Sequence, residues 1–275
     1  MKMIDLSVNL EKNSGEPVDV KIVRTGHREG ADAIGRGLIW SKRRPILRNV
    51  ESLIHYLTGK RRLSRHSFPD EEFLSLEIVT LSSHAGTHMD APEHFGSMSE
   101  GHRARTIDEL PLEWFYGDGV ILDMTHKGAG EFITLRDVVE SLEKLDYELK
   151  PMDIVLIHTG TDKKWGTPAY FHDAPGMSSE ATEYLIDQGI KVMGIDCYGF
   201  DRPFPHMIED YFATGNSEFL WPAHVLGRHR EYVHMERLCN LDQVPHPFHF
   251  KVSCFPVKLT GSGASWIRAV AMVQD

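Results

Sequence analysis

Short apolar runs and segments of helical period take turns along the middle of the chain. Residues 119–124 (GVILDM), 153–158 (DIVLIH) and 191–196 (KVMGID) are compact apolar stretches, predicting buried strands. Between them, Thr134 stands in the N-cap position before residues 135–145, where Leu135, Val138, Val139 and Leu142 share one helical face. Ser178 or Ser179 caps a second helix running to Gln188, and Gly189 is placed to stop it. Strand, helix, strand, helix, strand predicts a central βαβ arrangement. The first strand is expected over residues 3–8, and another over residues 74–81, where apolar and polar residues mainly alternate. Thr106 and Glu109 have capping-box spacing, predicting a short helix toward Trp114. The C-terminal third offers strands over residues 232–238, 248–259 and 266–273, separated by turns. The class is mixed α/β, without the glycine fingerprint of a nucleotide fold.

Residues 10–70 break this regularity with Gly, Pro, charge and aromatics; only 50–57 reads as a short helix, through Leu53, Ile54 and Leu57. So long a segment with little periodicity is expected to be a lid, a binding loop or an arm reaching another subunit. No repeat, low-complexity tract or Pro/Gly linker forces a boundary. The expectation is one domain over 1–275 carrying a 10–70 insertion.

Charge changes this picture in one place. The chain has a formal net charge of −10, which excludes nucleic acid as the main partner, because phosphate binding needs a basic face. Residues 42–65 run the other way, with eight Lys and Arg against the single acid Glu51. The functional readings of that cluster are an anionic substrate or an acidic neighbouring chain; the plain reading is a solvated surface. Three widely spaced cysteines without a CxxC make neither a disulfide framework nor a thiolate zinc site. The first ten residues hold no signal-like apolar run, and nowhere do about eighteen apolar residues follow one another. The expectation is a cytoplasmic protein with a small-molecule partner and no membrane partner.

The candidate chemistry is concentrated in residues 84–95, HAGTHMDAPEHF. Gly86 and Pro92 rule out a long helix here. In extended chain, side chains repeat every two residues, so His84, His88 and Asp90 can share one face. Imidazoles and a carboxylate converging on one point suit Zn²⁺ or Mn²⁺. Gly86 leaves room for close backbone approach. With sixteen histidines in the chain, chance pairs are expected, but four ligand-type residues in eleven positions are a stronger signal.

HxGTHxDxPxHF resembles the signature of the cyclase family of metal-dependent hydrolases, which includes bacterial kynurenine formamidase, isatin hydrolase and polyketide cyclases. The resemblance implies a mixed, β-barrel-like core of the swivelling β/α type with helices packed outside. It also implies two metal ions, Zn²⁺ or Mn²⁺. His84 and His88 would hold one, His224 the other, and Asp90 and Glu236 would bridge both. His224 and Glu236 have the family's twelve-residue separation, and residues 236–241 (ERLCNL) lie close to its Glu-x-Leu-x-Asn-Leu pattern. His229 and His234 compete for these roles; His234 shares a strand face with Glu236 and is a ligand or a supporting residue. By the same resemblance, His94 is the proton-transfer residue. Such a pair of cations brings the pKa of bound water toward neutrality, and a histidine titrating near working pH serves the leaving group.

Two further stretches invite a role. Residues 194–203 end a strand in charged and aromatic residues, making Asp201 a candidate substrate contact, as is Trp40 in the insertion. Residues 261–265 (GSGAS) match neither GxSxG nor a P-loop and read as a tight turn. The leading expectation is hydrolysis of an amide, lactam, lactone or ester of a cyclic or aromatic compound. Metal-assisted ring closure of the polyketide type, kynurenine formamidase activity proper and a silent metal-binding scaffold are the rivals. A homo-oligomer, a dimer or dimer of dimers, is the expected assembly.

Overall fold

The three apolar runs form the parallel strands Tyr116–Asp123, Ile154–His158 and Val192–Ile195 in the computed structural model, which describes residues 1–12 and 15–274. They lack polar alternation because both faces are covered. Ile154 and Leu156 pack in one cluster with Ile121, Val192 and Met235, while Val155 and Ile157 pack in a second with Val120, Leu122 and Met193. Parallel neighbours need crossovers, supplied by the helices Leu135–Leu145 and Ser179–Asp187. Both helices cover the second cluster, through Val138 and Leu142 and through Ala181, Leu185 and Ile186. Thr134 and Ser178 cap them as their side chains predict, each accepting a backbone N–H three residues on. Gly189 follows the second helix at φ +86°.

The sheet has nine strands, and both ends are antiparallel. From one edge the order is Lys2–Asp5, Val270–Val273, Phe250–Ser253, Tyr116–Asp123, Ile154–His158, Val192–Ile195, Val233–Glu236, His88–Asp90 and Ala264–Trp266. It curls into a half-barrel with helices outside, the mixed α/β class the sequence predicts. The expected strand over 266–273 is split in two. Ala264–Trp266 pairs with His88–Asp90, and Val270–Val273 pairs with Lys2–Asp5 and Phe250–Ser253. The chain thus changes partners within three residues, which a period-two pattern cannot reveal. The expected helix after Thr106 is two 3₁₀ turns, Ile107–Glu109 and Leu112–Phe115, interrupted at Pro111. The helices Phe204–Thr214 and Pro222–Leu226 carry no clear apolar period and were not expected.

These strands belong to a compact unit formed by Met1–Asp19 and Ser82–Asp275. A second unit spans Val20–Leu81 and takes in much of the 10–70 segment. It contains an antiparallel pair, Lys21–Thr25 with Leu76–Thr80, and the helices His27–Ile39 and Ile46–Leu57. The first helix was hidden by its three glycines, which lower helix propensity. Two of them are needed for packing: a Cβ at Gly30 would stand 2.4 Å from the Leu74 carbonyl oxygen, and one at Gly35 2.1 Å from that of Leu63. Arg43, Arg44, Arg48, Arg61 and Arg62 line a cavity of about 1050 Å³ in this unit. Trp40 ends its first helix and is exposed.

Helix capping generates a stability prediction. Burial pushes the Asp137 carboxyl up, but hydrogen bonds from Thr134 and the Lys127 ammonium, 2.9 Å away, outweigh it and hold the group well below the usual carboxylate range. A depressed folded-state pKa stabilises above the unfolded value of about 3.9 and is lost as pH falls through the folded one. Thr134→Ala should cost about 1 kcal/mol at pH 7, and Asp137→Asn should destabilise at pH 7. The Asp137→Asn deficit should narrow below about pH 4, measured by thermal melts across pH.

Candidate metal centre

The centre is built on one strand register. Val233–Glu236 runs antiparallel to His88–Asp90, with His234 opposite Asp90, Met235 opposite Met89 and Glu236 opposite His88. Alternation sends Met89 and Met235 into the first core cluster. The four polar side chains therefore share the other face, where directly opposed Cβ atoms stand about 5 Å apart. His84 joins from the preceding turn. That turn needs Gly86, whose φ is +61° and whose added Cβ would meet Leu10 Cδ2 at 2.6 Å. The glycine therefore serves the turn and its packing, where the sequence suggested room for a ligand. His224 arrives from the short helix Pro222–Leu226.

Two histidine pairs face two carboxylates. His84 Nδ1 and His88 Nε2 lie 2.9 and 3.5 Å from Asp90 Oδ1, and His88 Nε2 also lies 3.5 Å from Glu236 Oε2. On the other side, His224 Nε2 and His234 Nε2 lie 3.8 and 3.3 Å from Asp90 Oδ2, and 3.7 and 3.5 Å from Glu236 Oε1. Asp90 thus offers one oxygen to each pair, and Glu236 offers Oε1 to His224 and His234 and Oε2 to His88. Donors held about 2.0–2.1 Å from a tetrahedral ion are about 3.4 Å apart, which is the spacing found here. His88 Nε2, His234 Nε2 and both Asp90 oxygens are buried without a hydrogen-bond partner. Orphaned atoms of this kind need an explanation, and their donor chemistry fits a metal site that these residues would hold.

The supporting bonds aim the lone pairs inward. His88 Nδ1 donates to the Gly86 carbonyl (2.9 Å), and His224 Nδ1 donates to Asp201 Oδ2 (2.5 Å). Asp201 also accepts the backbone N–H groups of Ala223 and His224, so it fixes the ligand's helix as well as its ring. His234 stacks on Phe200, rings 4.4 Å apart and 8° from parallel. Glu236 Oε1 accepts the Phe200 N–H.

Electrostatics follow from this packing. Burial raises Asp90 and Glu236, but the histidines win, holding Asp90 well below its usual range and Glu236 at about 2. Burial lowers His224, yet Asp201 and Asp90 lift it to about 10, and Asp90 likewise lifts His84. Burial dominates at His88, which is pushed down. These anions draw positive charge, which protons or cations can supply.

His94 lies on the turn Pro92–Phe95, with Nε2 3.9 Å from Asp90 Oδ2 and a side chain one-third exposed. Burial, with help from the charges of His84 and His224, pushes it down to about 4 against the pull of Asp90. This is lower than the titration near working pH that the sequence reading expects, because burial outweighs Asp90; the ring opens, with His84, Asp90, His224 and Glu236, onto a cavity of about 360 Å³. Of the residues chosen from sequence, the structure brings together His84, His88, Asp90, His94, His224 and Glu236. It adds His234, which the two-residue offset from Glu236 could signal. It puts Asp201 behind His224 as well as at the cavity wall, and Trp40 in the Val20–Leu81 unit. Sequence reasoning missed Phe204 and Arg237 at the cavity, because no local pattern marks them, while Tyr198 lies in the 194–203 stretch that the sequence singles out.

The chain is similar to several known proteins. An isatin hydrolase of Roseibium aggregatum is 27% identical over 213 residues, covering 74% of this chain and 77% of that one. A kynurenine formamidase of Bacillus cereus is 26% identical over 210 residues, covering 74% and 84%. The solved structure of an isatin hydrolase bound to the product analogue thioisatinate superposes with a TM-score of 0.70 at 22% identity, covering 100% of this chain and 93% of that one, and so shares the fold. The family model described as putative cyclase matches residues 4–202. The motif, the half-barrel and this match give one conclusion: the chain belongs to the cyclase family.

Proposed function

We propose that this protein is a hydrolase working with two metal ions, Zn²⁺ or Mn²⁺, on an amide, lactam, lactone or ester of a cyclic or aromatic compound. The observation that carries the reading is the pair of carboxylates, Asp90 presenting one oxygen to each of two histidine pairs and Glu236 presenting Oε1 to His224 and His234 and Oε2 to His88. His84 and His88 would hold one ion, His224 and His234 the other. When bound, such ions lower the pKa of water and polarise a carbonyl. The chain's own part is to fix those ligands, exclude bulk water and move a proton. His94 is neutral and open to the cavity, so Nε2 accepts a proton from attacking water and returns it to the departing nitrogen or oxygen. The names of the relatives, an isatin hydrolase and a kynurenine formamidase, support carbonyl hydrolysis.

Pocket shape supports a bulky substrate. A second, mostly apolar cavity of about 580 Å³ shares Tyr198 and Phe204 with the metal cavity and adds Phe171, Pro168 and Pro205. A ring held between these walls sets its carbonyl toward Asp90 and Glu236. Phe171 lines that second cavity, whereas its neighbour Tyr170 is fully buried.

Elemental analysis separates ligand from proton carrier. His88→Ala, His234→Ala and Glu236→Gln should each lose metal, whereas His94→Ala should keep it and lose about 10²–10⁴-fold in rate. Unchanged metal in the first three, or metal loss in the last, contradicts the assignment. Substrate size gives an independent check. Steady-state kinetics on N-formylkynurenine should stay below a kcat/KM of about 10⁴ M⁻¹s⁻¹, the low end of the ordinary enzyme range, with larger ring lactams or aryl esters turned over faster.

A further inference from the structure

Arg237 lines the metal cavity beside His84, Asp90, His94 and Glu236, yet the chemistry above leaves it unused. Strand alternation would put the residue after Glu236 on the opposite face. Instead, Arg237 has φ +60° and ends the strand Val233–Glu236, so that consecutive residues both reach the cavity. A side chain in this left-handed region costs on the order of 1 kcal/mol, and such strain gathers at functional sites. Here the backbone is pinned on both sides: the Arg237 N–H donates to the Cys197 carbonyl (2.9 Å), and its carbonyl accepts Thr87 Oγ1 (2.5 Å).

The guanidinium is buried and held on three counts. It stacks 4.4 Å above the Tyr198 ring, Nε donates to the Tyr198 carbonyl at 3.3 Å, and Nη1 is ion-paired with Glu16. Glu16 is itself fixed, since its other oxygen accepts the Gly86 N–H at 2.7 Å. These contacts account for Nε and Nη1. Among the described residues, Nη2 has no hydrogen-bond partner. A guanidinium carries five N–H donors in a rigid fork, and this one has an immobilised edge without a protein acceptor.

We infer that Arg237 is a specificity-determining residue. Its Nη2 edge takes a carboxylate, or a second carbonyl oxygen next to the reacting one, while the substrate's ring lies against Tyr198 and Phe204. This rests on the hydrolase reading, and narrows the substrate class to aromatic carbonyl compounds bearing an oxygen acceptor adjacent to the bond that is cut. Planar, preorganised guanidinium favours such oxygens over a lysine ammonium, and Glu16 holds the group in place without occupying the recognising edge.

The test is equilibrium binding by calorimetry to the protein as purified, with benzoylformate and the uncharged diketone 1-phenyl-1,2-propanedione as probes, neither of which has an amide or ester bond to cut. Arg237→Gln should weaken benzoylformate about 10- to 100-fold, the loss expected for a hydrogen bond to a charged group, and the diketone several-fold less. Arg237→Lys keeps the charge and the Glu16 partner while losing the free edge. It should retain metal content and melting temperature and still lose at least tenfold in the preference for benzoylformate. Equal weakening of both probes, or a lysine variant with wild-type preference, overturns the inference and leaves Arg237 as a structural strap. If Arg237→Gln fails to fold, the lysine variant decides alone. Binding is read without turnover. A protein that hydrolyses none of a lactam, lactone and ester panel would therefore overturn the hydrolase reading without touching this measurement.

Discussion

Everything at the candidate site depends on the register between the strands His88–Asp90 and Val233–Glu236. Opposing His234 to Asp90 and Glu236 to His88 puts four ligand-type side chains on one face and two methionines in the core behind them. A slip by one residue would bury the polar set in that core and turn the methionines to the cavity. Ala264–Trp266 on the far side of His88–Asp90 makes the short motif strand interior to the sheet, so its register is set from both flanks.

The same constraint explains why so much unpaired polarity is tolerated. Buried imidazole nitrogens and carboxylate oxygens without hydrogen bonds are costly in a low-dielectric interior. They persist here because the rings that carry them are held at their other nitrogen: His88 Nδ1 by the Gly86 carbonyl and His234 Nδ1 by the Tyr232 hydroxyl. The sheet supplies position, and the second tier of bonds supplies aim. Tyr198, Phe204 and Arg237 then give the site walls and one cationic edge. This is a division of labour between rigid scaffold and loops at its rim.

What could be read from the sequence follows the range of each interaction. The motif around His84–His88–Asp90 is local, and the apolar runs that become Ile154–His158 and Val192–Ile195 announce themselves because both faces are buried. The caps at Thr134 and Ser178 are equally local. His224 and Glu236 were reached through a family pattern, since nothing in their own surroundings ties them to a motif more than a hundred residues earlier. The bond from His224 to Asp201, and the ion pair of Arg237 with Glu16, join residues 23 and 221 positions apart. No periodicity encodes such pairs. The helix His27–Ile39 failed to show for the opposite reason: its glycines, chosen for close backbone approach, disguise its period.

The central proposal is that Asp90 and Glu236 would hold two cations together, one with His84 and His88 and the other with His224 and His234. Anomalous diffraction from crystals of the protein as purified, collected on both sides of the zinc and manganese edges, tests it most directly. The account predicts two anomalous peaks, one on the His84–His88 side and one on the His224–His234 side, with an oxygen of each carboxylate at about 2.0–2.2 Å from each ion. A single peak, or two peaks of which one is bound without Glu236 and His234, would contradict it.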